Sequence, residues 1–384
     1  MIAIVAVAFF CTTYFAMVLV FAIGVIRLQQ KNDLTHETLP VSVVVAMRNE
    51  EQNINRLLQS IMQQDYPIDK FEVILVNDHS TDRTQALAEE WCNAYTNVFL
   101  ANLPKDRYGK KEALSFGISQ SKNDIIALTD ADCLHPVHWL RSISSAYSTK
   151  NAALVIGNVE IAPANTLFEK MQALEYASLA ASSLGACSCG IPFMASSANL
   201  SFSKSRIGFS SQMLKPSIVS GDDVFLLHSA KQMKGVKIGC LCGTSSAVST
   251  RPVSTITAFF KQRARWASKA TGYTDFTAIS VGFVVLLYSL MLVGLGVFSF
   301  WDYKLLGLLL IAFLLKCLAD MFLLYPFLKR QGNVSLLNVF YLCNLCTQSI
   351  FPLHLQWLCF AQIAGKEDDE VFLKVYSILL HVKL

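Results

Sequence analysis

Two aspartates separated by one residue are the clearest chemical feature of the chain. Asp130 and Asp132 lie in the segment LTDADC and follow the short apolar run IIALT. Carboxylate oxygens are the ligands that hard divalent cations prefer, and such a cation commonly holds a substrate diphosphate. The pair therefore indicates a divalent cation site and nucleotide chemistry at the end of a buried strand.

Other polar residues follow neighbouring strands of the same predicted sheet. Between residues 32 and 275, short β-branched runs alternate with helix-like stretches, which indicates an α/β fold with a mostly parallel sheet covered by helices on both faces. Ligands of such sheets bind beyond the carboxyl ends of the strands, so we expect Glu50, Asp78 and the aspartate pair to converge on one crevice. The predicted strands cover 41–47, 71–77, 97–102, 124–130 and 153–161, and the predicted helices cover 53–63, a segment from Thr81 with Ser80 as its N-cap, and 110–121.

Two further segments combine charge with a predicted helix start. In GKKEAL, Gly109 lets the backbone approach a ligand and Lys110 offers a point charge to a phosphate, although a solvated helix start would look the same. In the predicted amphipathic helix of residues 220–233, the acids Asp222 and Asp223 stand at the start, where the helix dipole favours them. We interpret Asp223 as a base that deprotonates an acceptor hydroxyl and Asp222 as the capping partner.

A basic segment, KQRARWASK, precedes the second long apolar run of the chain. Its pattern predicts an interfacial helix over 254–270 that lies at a membrane surface, with Trp266 as an anchor. The same residues also form a Q-x-x-R-W pattern. In that interpretation Arg265 neutralises a leaving diphosphate and Trp266 stacks on a sugar ring, with Gln262 beside them. The two interpretations are compatible.

The composition predicts a membrane protein. The 384 residues are 53% hydrophobic, and the mean hydropathy is +0.42. Such a chain is too apolar for an ordinary soluble domain. The predicted organisation is a transmembrane helix over 1–27, a water-facing domain over 32–275, a membrane region over 276–364 with segments at 276–300, 305–328 and 334–364, and a tail over 365–384.

Positive charge lies on one side of these predicted spans. Under the positive-inside rule it places the main domain in the cytoplasm, in a multi-pass protein of the inner or plasma membrane. The net charge is only +4 and no basic stripe with interleaved aromatics is present, which argues against a nucleic-acid partner. The basic residues beside the spans are Arg27, Lys31, Arg251, Lys261, Arg263, Arg265, Lys269, Lys329 and Arg330.

The order of the motifs resembles a known family. Over about residues 40–270 the chain contains, in sequence, MRNE, NDHSTD, GKKEAL, DAD, GDD and QRARW. This set is similar to the membrane-bound inverting branch of the family 2 glycosyltransferases. The resemblance implies a GT-A fold, a nucleotide-sugar donor with UDP-sugars favoured, Mg²⁺ or Mn²⁺ as cofactor, and a glycan or lipid-linked acceptor.

The resemblance also implies roles for residues on the donor side. Glu50, Asp78 and Lys110 would contact the nucleotide, together with Asp130. The metal and the diphosphate would be held by Asp130 and Asp132.

Further roles follow for the acceptor side. Asp223 matches the general base of the family, and Gln262, Arg265 and Trp266 match the motif that closes over the diphosphate and the acceptor. Asn199, in MASSANLSFSKS, is expected near the acceptor. Two positions depart from the family pattern, because Asp222 stands where glutamate is usual and Ser197 where glycine is usual.

Alternative functions remain open at this point. Q-x-x-R-W favours a processive polysaccharide synthase, whereas the small number of predicted spans favours single transfer to a membrane-presented acceptor. A catalytically inactive scaffold or a transport component is the alternative from another class. Its supporting feature is the pair Lys316 and Asp320, one helical turn apart inside a predicted span.

Overall fold

The computed structural model describes residues 2–28, 37–149, 151–216, 218 and 220–345. Strand–helix alternation begins at residue 41, as the sequence predicts. The strands are β1 Val41–Met47, β2 Phe71–Asn77, β3 Val98–Asn102, β4 Ile125–Asp130, β5 Leu154–Gly157, β6 Val159–Ile161, β7 Leu200–Ser203, β8 Ile238–Leu241 and β9 Val248–Thr250. The α-helices are α1 Ile2–Arg27, α2 Ile54–Met62, α3 Thr84–Ala94, α4 Lys110–Gln120, α5 Trp139–Thr149, α6 Leu167–Ser188, α7 Asp222–Lys231, α8 Ile256–Ser268, α9 Phe276–Phe298 and α10 Lys304–Gln331.

The main sheet has seven strands in the order β3-β2-β1-β4-β7-β5-β8. Strands β3, β2, β1 and β4 are parallel neighbours, and β5 pairs in parallel with β8. Strand β7 runs antiparallel between β4 and β5. The predicted mostly parallel α/β sheet is therefore confirmed.

Alternate residues of the central strands enter two separate apolar cores. Val45 and Leu75 pack with α2 and α5 in one core. Val44 and Ile74 pack on the opposite face, in a core that we call the membrane-side core. It contains buried residues of α4, α6 and α7 and continues without a break into α1, α9 and α10. Because a strand points successive side chains to opposite faces, continuous apolar strands require cover on both sides.

The strand register brings the predicted polar residues to one edge of the sheet. Met47, the last residue of β1, pairs with Asn77, the last residue of β2. Ala46 pairs with Asp130, the last residue of β4. The residues that follow these strands therefore begin at the same carboxyl edge, where ligands of such sheets bind.

Two predicted elements differ from the structure. The single strand predicted over 153–161 is two strands in two sheets. The strand is interrupted at Asn158, and β6 pairs with β9 in a separate two-stranded sheet. The helix predicted from Thr81 begins at Thr84, and Ser80 does not cap it. The Ser80 hydroxyl instead accepts a hydrogen bond from the Asn49 amide, and Asp82 accepts one from the Thr84 amide.

Among the described residues, three helices are long and apolar enough to cross a membrane: α1, α9 and α10. The Arg330 guanidinium near the end of α10 donates to the carbonyl oxygens of Val25 and Ile26, at the end of α1. The carboxyl ends of α1 and α10 therefore meet. Of the predicted segment 334–364, residues Val334–Val339 form a 3₁₀ helix, whereas residues 346–364 and the predicted tail 365–384 lie outside the described residues.

The charged pair inside α10 has a complete set of partners. Lys316 Nζ lies 2.5 Å from Asp320 Oδ2 and 2.7 Å from Asn344 Oδ1. The hydroxyl of Tyr14, on α1, donates to Asp320 Oδ1 at 2.7 Å. Ionisable side chains inside a membrane helix are expensive to desolvate, and they commonly face the bundle interior and pair with one another, as these two do. These contacts show how the charges of the pair are accommodated in the helix bundle.

Helices α1 and α6 cross at two glycines. A Cβ on Gly185 would overlap the Phe21 carbonyl oxygen, and one on Gly24 would overlap the Gly185 carbonyl oxygen. Glycine at both positions lets the two backbones approach closely, as small residues do at helix crossings in membranes. This crossing joins a candidate membrane helix to a helix of the main domain.

We expect Gly185→Ala to destabilise the protein by about 2 kcal/mol, because the added methyl group forces α6 away from α1. Gly282→Ala is the matched control, since no atom of the described residues lies within 4 Å of a Cβ added at Gly282 in α9. The thermal midpoint of each purified variant in detergent is the measurement. Equal midpoints for the two variants would show that the crossing tolerates a side chain.

Candidate active site

A cavity of about 490 Å³ opens at the carboxyl edge of the sheet. Its walls come from the end of β4, the start of α4, one face of α6, the start of α7 and one face of α8. The sequence-predicted residues that line this cavity are Lys110, Asp130, Asp132, Asp222, Asp223, Gln262, Arg265 and Trp266. Residues separated by more than 150 positions in the chain therefore share one chamber.

Lys110 lies between carboxylates from two elements. Its ammonium is 2.6 Å from Asp130 Oδ1 and 3.8 Å from Asp222 Oδ2, and it donates to the Ser197 hydroxyl at 2.8 Å. Desolvation opposes its charge, but the charges of Asp130 and Asp222 outweigh this and hold the pKa of Lys110 above its usual value. Lys110 is therefore a fixed cation in the cavity wall.

The turn before α4 fixes the backbone at this lysine. Gly109 precedes the helix with φ of 93°, a conformation that favours glycine. Its amide donates to Asp78 Oδ2 at 3.0 Å. The buried Asp78 carboxylate thus holds the helix start, and through it Lys110, in place.

The aspartate pair occupies the end of β4 and the turn that follows. The strand ends at Asp130, so it does not stay extended as far as Asp132, but both side chains line the cavity. Asp132 Oδ2 accepts a hydrogen bond from the Thr250 hydroxyl at 2.9 Å. Among the described residues no group of three or more His, Cys, Asp or Glu side chains could hold a metal by itself. Two carboxylates nevertheless fit Mg²⁺ or Mn²⁺, because these ions commonly take one or two carboxylates and complete their shell with substrate phosphates.

The two acids of α7 differ in their surroundings. Gly221, in the left-handed conformation, is the N-cap of this helix, and Asp222 makes no capping hydrogen bond. The prediction that Asp222 caps the helix is therefore wrong, because its buried carboxylate faces Lys110 instead. Burial would raise the pKa of Asp222, yet Lys110 outweighs it and the pKa is lowered. The helix itself is buried around most of its circumference, so the predicted amphipathic pattern is also wrong.

Asp223 is the more accessible of the two acids. It lines the cavity, and its Oδ1 accepts a hydrogen bond from the Val224 amide at 2.7 Å. The Lys269 ammonium lies 3.4 Å from the same oxygen. Both groups hold the carboxylate in a defined orientation at the cavity wall.

Helix α8 forms the wall that faces these acids. It begins after Thr255, whose hydroxyl accepts from the Ala258 amide at 3.1 Å. The predicted helix over 254–270 is therefore present, and it continues as a 3₁₀ turn over Lys269–Gly272. Its cavity-facing residues are Gln262, Arg265 and Trp266.

Glu50 and Asp78 lie next to the cavity but do not form its wall. Asp78 accepts a hydrogen bond from the amide of Gly109, which is a residue of the cavity wall. Glu50 accepts a hydrogen bond from the Asn53 side chain at 2.8 Å. Burial, and then the charges of Asp132 and Asp130, raise the pKa of Glu50. Both acids thus extend the polar edge of the sheet beyond the cavity.

Asn199 lies in an internal network of hydrogen bonds. Its side chain is buried, accepts from Trp139 Nε1 at 2.9 Å and donates to the carbonyl oxygens of Asn158 and Ser246 at 2.7 and 2.8 Å. Each polar atom of the amide already has a partner, and the residue is not part of the cavity wall. This asparagine joins three chain segments internally, whereas its neighbours Ser197 and Ala198 line the cavity, so its role at the acceptor stays a prediction.

Two residues of the site carried no recognisable signal in the sequence: Thr250, which reaches Asp132 from a distant segment, and Tyr176, which enters the cavity wall from α6. Lys269 stood out only as part of the basic segment, and its contact with Asp223 was not predicted. Ser197 stood out only as a departure from the family pattern, and it proves to be a partner of Lys110.

The fold is the GT-A fold of glycosyltransferases. It is similar to the structure of the mannosyltransferase PcManGT from Pyrobaculum calidifontis, with a TM-score of 0.51 and 17% sequence identity over 95% of this chain and 99% of that one. That protein was solved with GDP-Man and Mn²⁺. At this identity the likeness concerns the fold alone.

The chain belongs to glycosyl transferase family group 2, whose model matches residues 125–364. The model of glycosyl transferase family 2 matches residues 42–199. Two similar proteins are the glycosyltransferase AglE of Haloferax volcanii, 37% identical over 32% of this chain and 40% of that protein, and the beta-monoglucosyldiacylglycerol synthase of Synechocystis, 35% identical over 27% and 22%. The matched part spans less than half of the length of these relatives.

We expect Asn199→Ala to lower the thermal midpoint by roughly 5–10 °C, because it removes the partners of the buried Trp139 indole N–H and of the Ser246 carbonyl oxygen. The Asn158 carbonyl oxygen keeps the Val248 amide as a donor. Donor binding in the cavity should stay close to that of the wild type. Asn93→Ala, at an exposed position of α3, is the control and should leave the midpoint unchanged. An unchanged midpoint for Asn199→Ala, combined with lost transfer to an acceptor, would show that Asn199 acts at the acceptor site and not in stability.

Proposed function

We propose that the protein is a membrane-bound inverting glycosyltransferase, which moves a sugar from a nucleotide-sugar donor to an acceptor presented at the membrane. Family membership supports glycosyl transfer as the class of reaction. One observation carries the detailed proposal: a single cavity joins the carboxylates of Asp130 and Asp132 to Asp223 on one side and Arg265 on another.

The donor end of the cavity is the end that contains Lys110 and the aspartate pair. Asp130 and Asp132 would hold Mg²⁺ or Mn²⁺, which supplies positive charge to the diphosphate of the donor. Glu50 and Asp78 would contact the nucleotide from the adjoining polar edge. The family resemblance favours a UDP-sugar, with GDP- and dTDP-sugars as the alternatives to compare.

Arg265 is the residue that we assign to the leaving group. Its guanidinium is permanently charged and can present two parallel donors to a phosphate. Negative charge grows on the diphosphate as the glycosidic bond breaks, so a fixed cation at the cavity wall stabilises the transition state more than the ground state. Gln262 and Trp266, on the same face of α8, would contact the sugar and the acceptor.

Asp223 is the residue that we assign as general base. The lowered pKa of Asp222 makes that carboxylate a weaker base, and its proximity to Lys110 suits a fixed counter-charge. Asp223 faces the cavity and can accept the proton of an acceptor hydroxyl. The hydroxyl oxygen attacks the anomeric carbon as it loses this proton. Attack opposite to the departing diphosphate gives an inverted configuration.

The other end of the cavity supports an acceptor with an apolar part. Leu179, Leu184 and Met194 contribute to its wall. The first two belong to α6, and α6 packs against α1, a candidate membrane span. An acceptor held in the membrane surface would therefore approach along an apolar path.

The membrane arrangement of the proposal follows from the meeting helix ends. The carboxyl ends of α1 and α10 lie together, and Asn333, just after α10, donates to Glu160 of the main domain at 3.1 Å. We propose that residues 32–275 form the catalytic domain on the cytoplasmic side and that residues 1–27 and 276–364 anchor it in the cell membrane. The basic residues at these helix ends support this orientation.

Processive synthesis is the second candidate function. The observation that favours it is the position of Gln262, Arg265 and Trp266 on one cavity wall, which matches the pattern expected for chain-extending members of the family. Both candidates use the same site and the same chemistry. The length of the product separates them.

We expect the detergent-purified protein to release nucleoside diphosphate from one of the UDP-, GDP- and dTDP-sugars, in the presence of Mg²⁺ or Mn²⁺. Removal of the metal with a chelator should abolish release, because two carboxylates alone would repel the diphosphate. Nucleotide release, followed by coupled detection, is the measurement. A protein that binds none of these donors and releases nothing would be a scaffold.

We expect Asp223→Asn to lower the transfer rate by roughly 10²–10⁴-fold, the usual contribution of a general base. The dissociation constant for the donor should change little, since the amide keeps the size of the side chain. Asp69→Asn, at an exposed position far from Asp223 in the sequence, is the matched control. Wild-type turnover in Asp223→Asn would refute the assignment, whatever the donor proves to be.

A further inference from the structure

An ion pair behind the cavity wall joins α8 to α6. Arg263 Nε lies 3.0 Å from Glu175 Oε1, and its NH2 nitrogen lies 2.6 Å from Oε2 of the same carboxylate. The arrangement is bidentate, the geometry in which arginine and a carboxylate restrict each other most. Only 12% and 22% of the two side chains are exposed. Neither residue belongs to the cavity wall.

The guanidinium of Arg263 is also stacked between two aromatic rings. Its central carbon lies 4.2 Å from the ring centre of Phe259 and 4.3 Å from that of Trp266. Both distances are within the range of a cation–π contact. Trp266 also makes a T-shaped contact with Tyr176, with 5.8 Å between the ring centres. Two side chains therefore hold Trp266.

Arg263 contacts a second residue of the cavity wall. Its NH1 group donates to the side-chain oxygen of Gln262. This fixes the orientation of the Gln262 amide and leaves its NH₂ group as the end that can donate elsewhere. One buried guanidinium thus contacts two of the three α8 residues that line the cavity.

We propose that Glu175 and Arg263 are positioning residues that set Trp266 and Gln262 in the orientation the acceptor requires. The proposal rests on the function proposed above. Glu175 fixes the plane of the guanidinium, that plane fixes the indole, and the indole forms the cavity wall. The pair touches neither donor nor acceptor, so its effect reaches the reaction only through the two wall residues.

The main test is Glu175→Gln, which keeps the shape of the side chain and removes its charge. We expect kcat/KM for the acceptor to fall about tenfold, because a small misplacement of a positioning group is costly, while KM for the donor changes less than about twofold. Arg263→Lys should behave in the same way, since an ammonium cannot bind bidentately or stack flat. A proportional loss for donor and acceptor would overturn the proposal.

A double-mutant cycle separates positioning from simple attachment of α8 to α6. In a Trp266→Leu background the stacked ring is gone, so Glu175→Gln should reduce the acceptor kcat/KM by less than about twofold further. If the two substitutions lowered the acceptor kcat/KM by factors that multiply in full, the pair would act independently of Trp266. This outcome contradicts the proposal.

A second measurement needs no catalytic activity. The emission of Trp266 is obtained as the difference between each protein and its Trp266→Phe counterpart, and its quenching by acrylamide reports how accessible the indole is. We expect Glu175→Gln to increase this quenching. Unchanged quenching would overturn the positioning role, and this holds even if the wild-type protein transfers no sugar and the proposed function fails.

The chain offers a matched control for the chemistry of the pair. Arg141 binds Asp65 through Nε at 3.0 Å and NH2 at 3.1 Å, in the same bidentate manner. This pair lies outside the cavity wall. Asp65→Asn should leave both kinetic constants and the emission of Trp266 unchanged. A similar loss in Asp65→Asn would show that removal of any such pair disturbs the enzyme, which contradicts a specific role for Glu175.

Discussion

The contact between the Lys110 ammonium and the carboxylates of Asp130 and Asp222 connects three elements that are distant in the sequence. It joins the end of β4, the start of α4 and the start of α7 at one point of the cavity. A cation between two carboxylates allows both to stay charged at close range, where their mutual repulsion would otherwise be large. Lys110 therefore allows several acids to lie near a bound diphosphate. The other catalytic assignments depend on this arrangement.

Local patterns in the sequence were sufficient for the four parallel strands β1 to β4 and their carboxyl edge, but they did not predict β7, β8 or β9. Strand boundaries followed from apolar runs, and parallel register then brought Glu50, Asp78 and Asp130 together. The contacts that the sequence could not predict join distant segments. Asn199 was expected at the acceptor, because its neighbours resemble a family motif, yet three internal hydrogen bonds occupy it. Asp222 was read as a cap, since the helix dipole favours an acid at that position whatever the side chain faces.

Predictions from local sequence also failed where a residue or segment had two possible hydrogen-bond partners. Ser80 is a good capping residue, but its hydroxyl accepts from Asn49 in the preceding turn, so the helix begins later. The break at Asn158 divides an apolar run that looks continuous, because the second half pairs with β9, a segment about 90 residues further along the chain. Competition of this kind is decided by tertiary contacts, which a single sequence does not display.

The membrane-side core has a further consequence for the anatomy of the molecule. Residues of the sheet, of α6 and of α1 belong to one continuous apolar cluster, with Gly24 and Gly185 at the point where the last two cross. Because the sheet, α6 and α1 share one core, the molecule cannot be divided into a soluble enzyme and a detachable anchor. A chain without residues 2–27 would present the bare apolar side of α6 to water, and aggregation would follow. The candidate membrane helix α1 is thus as much a part of the folding unit as the strands are.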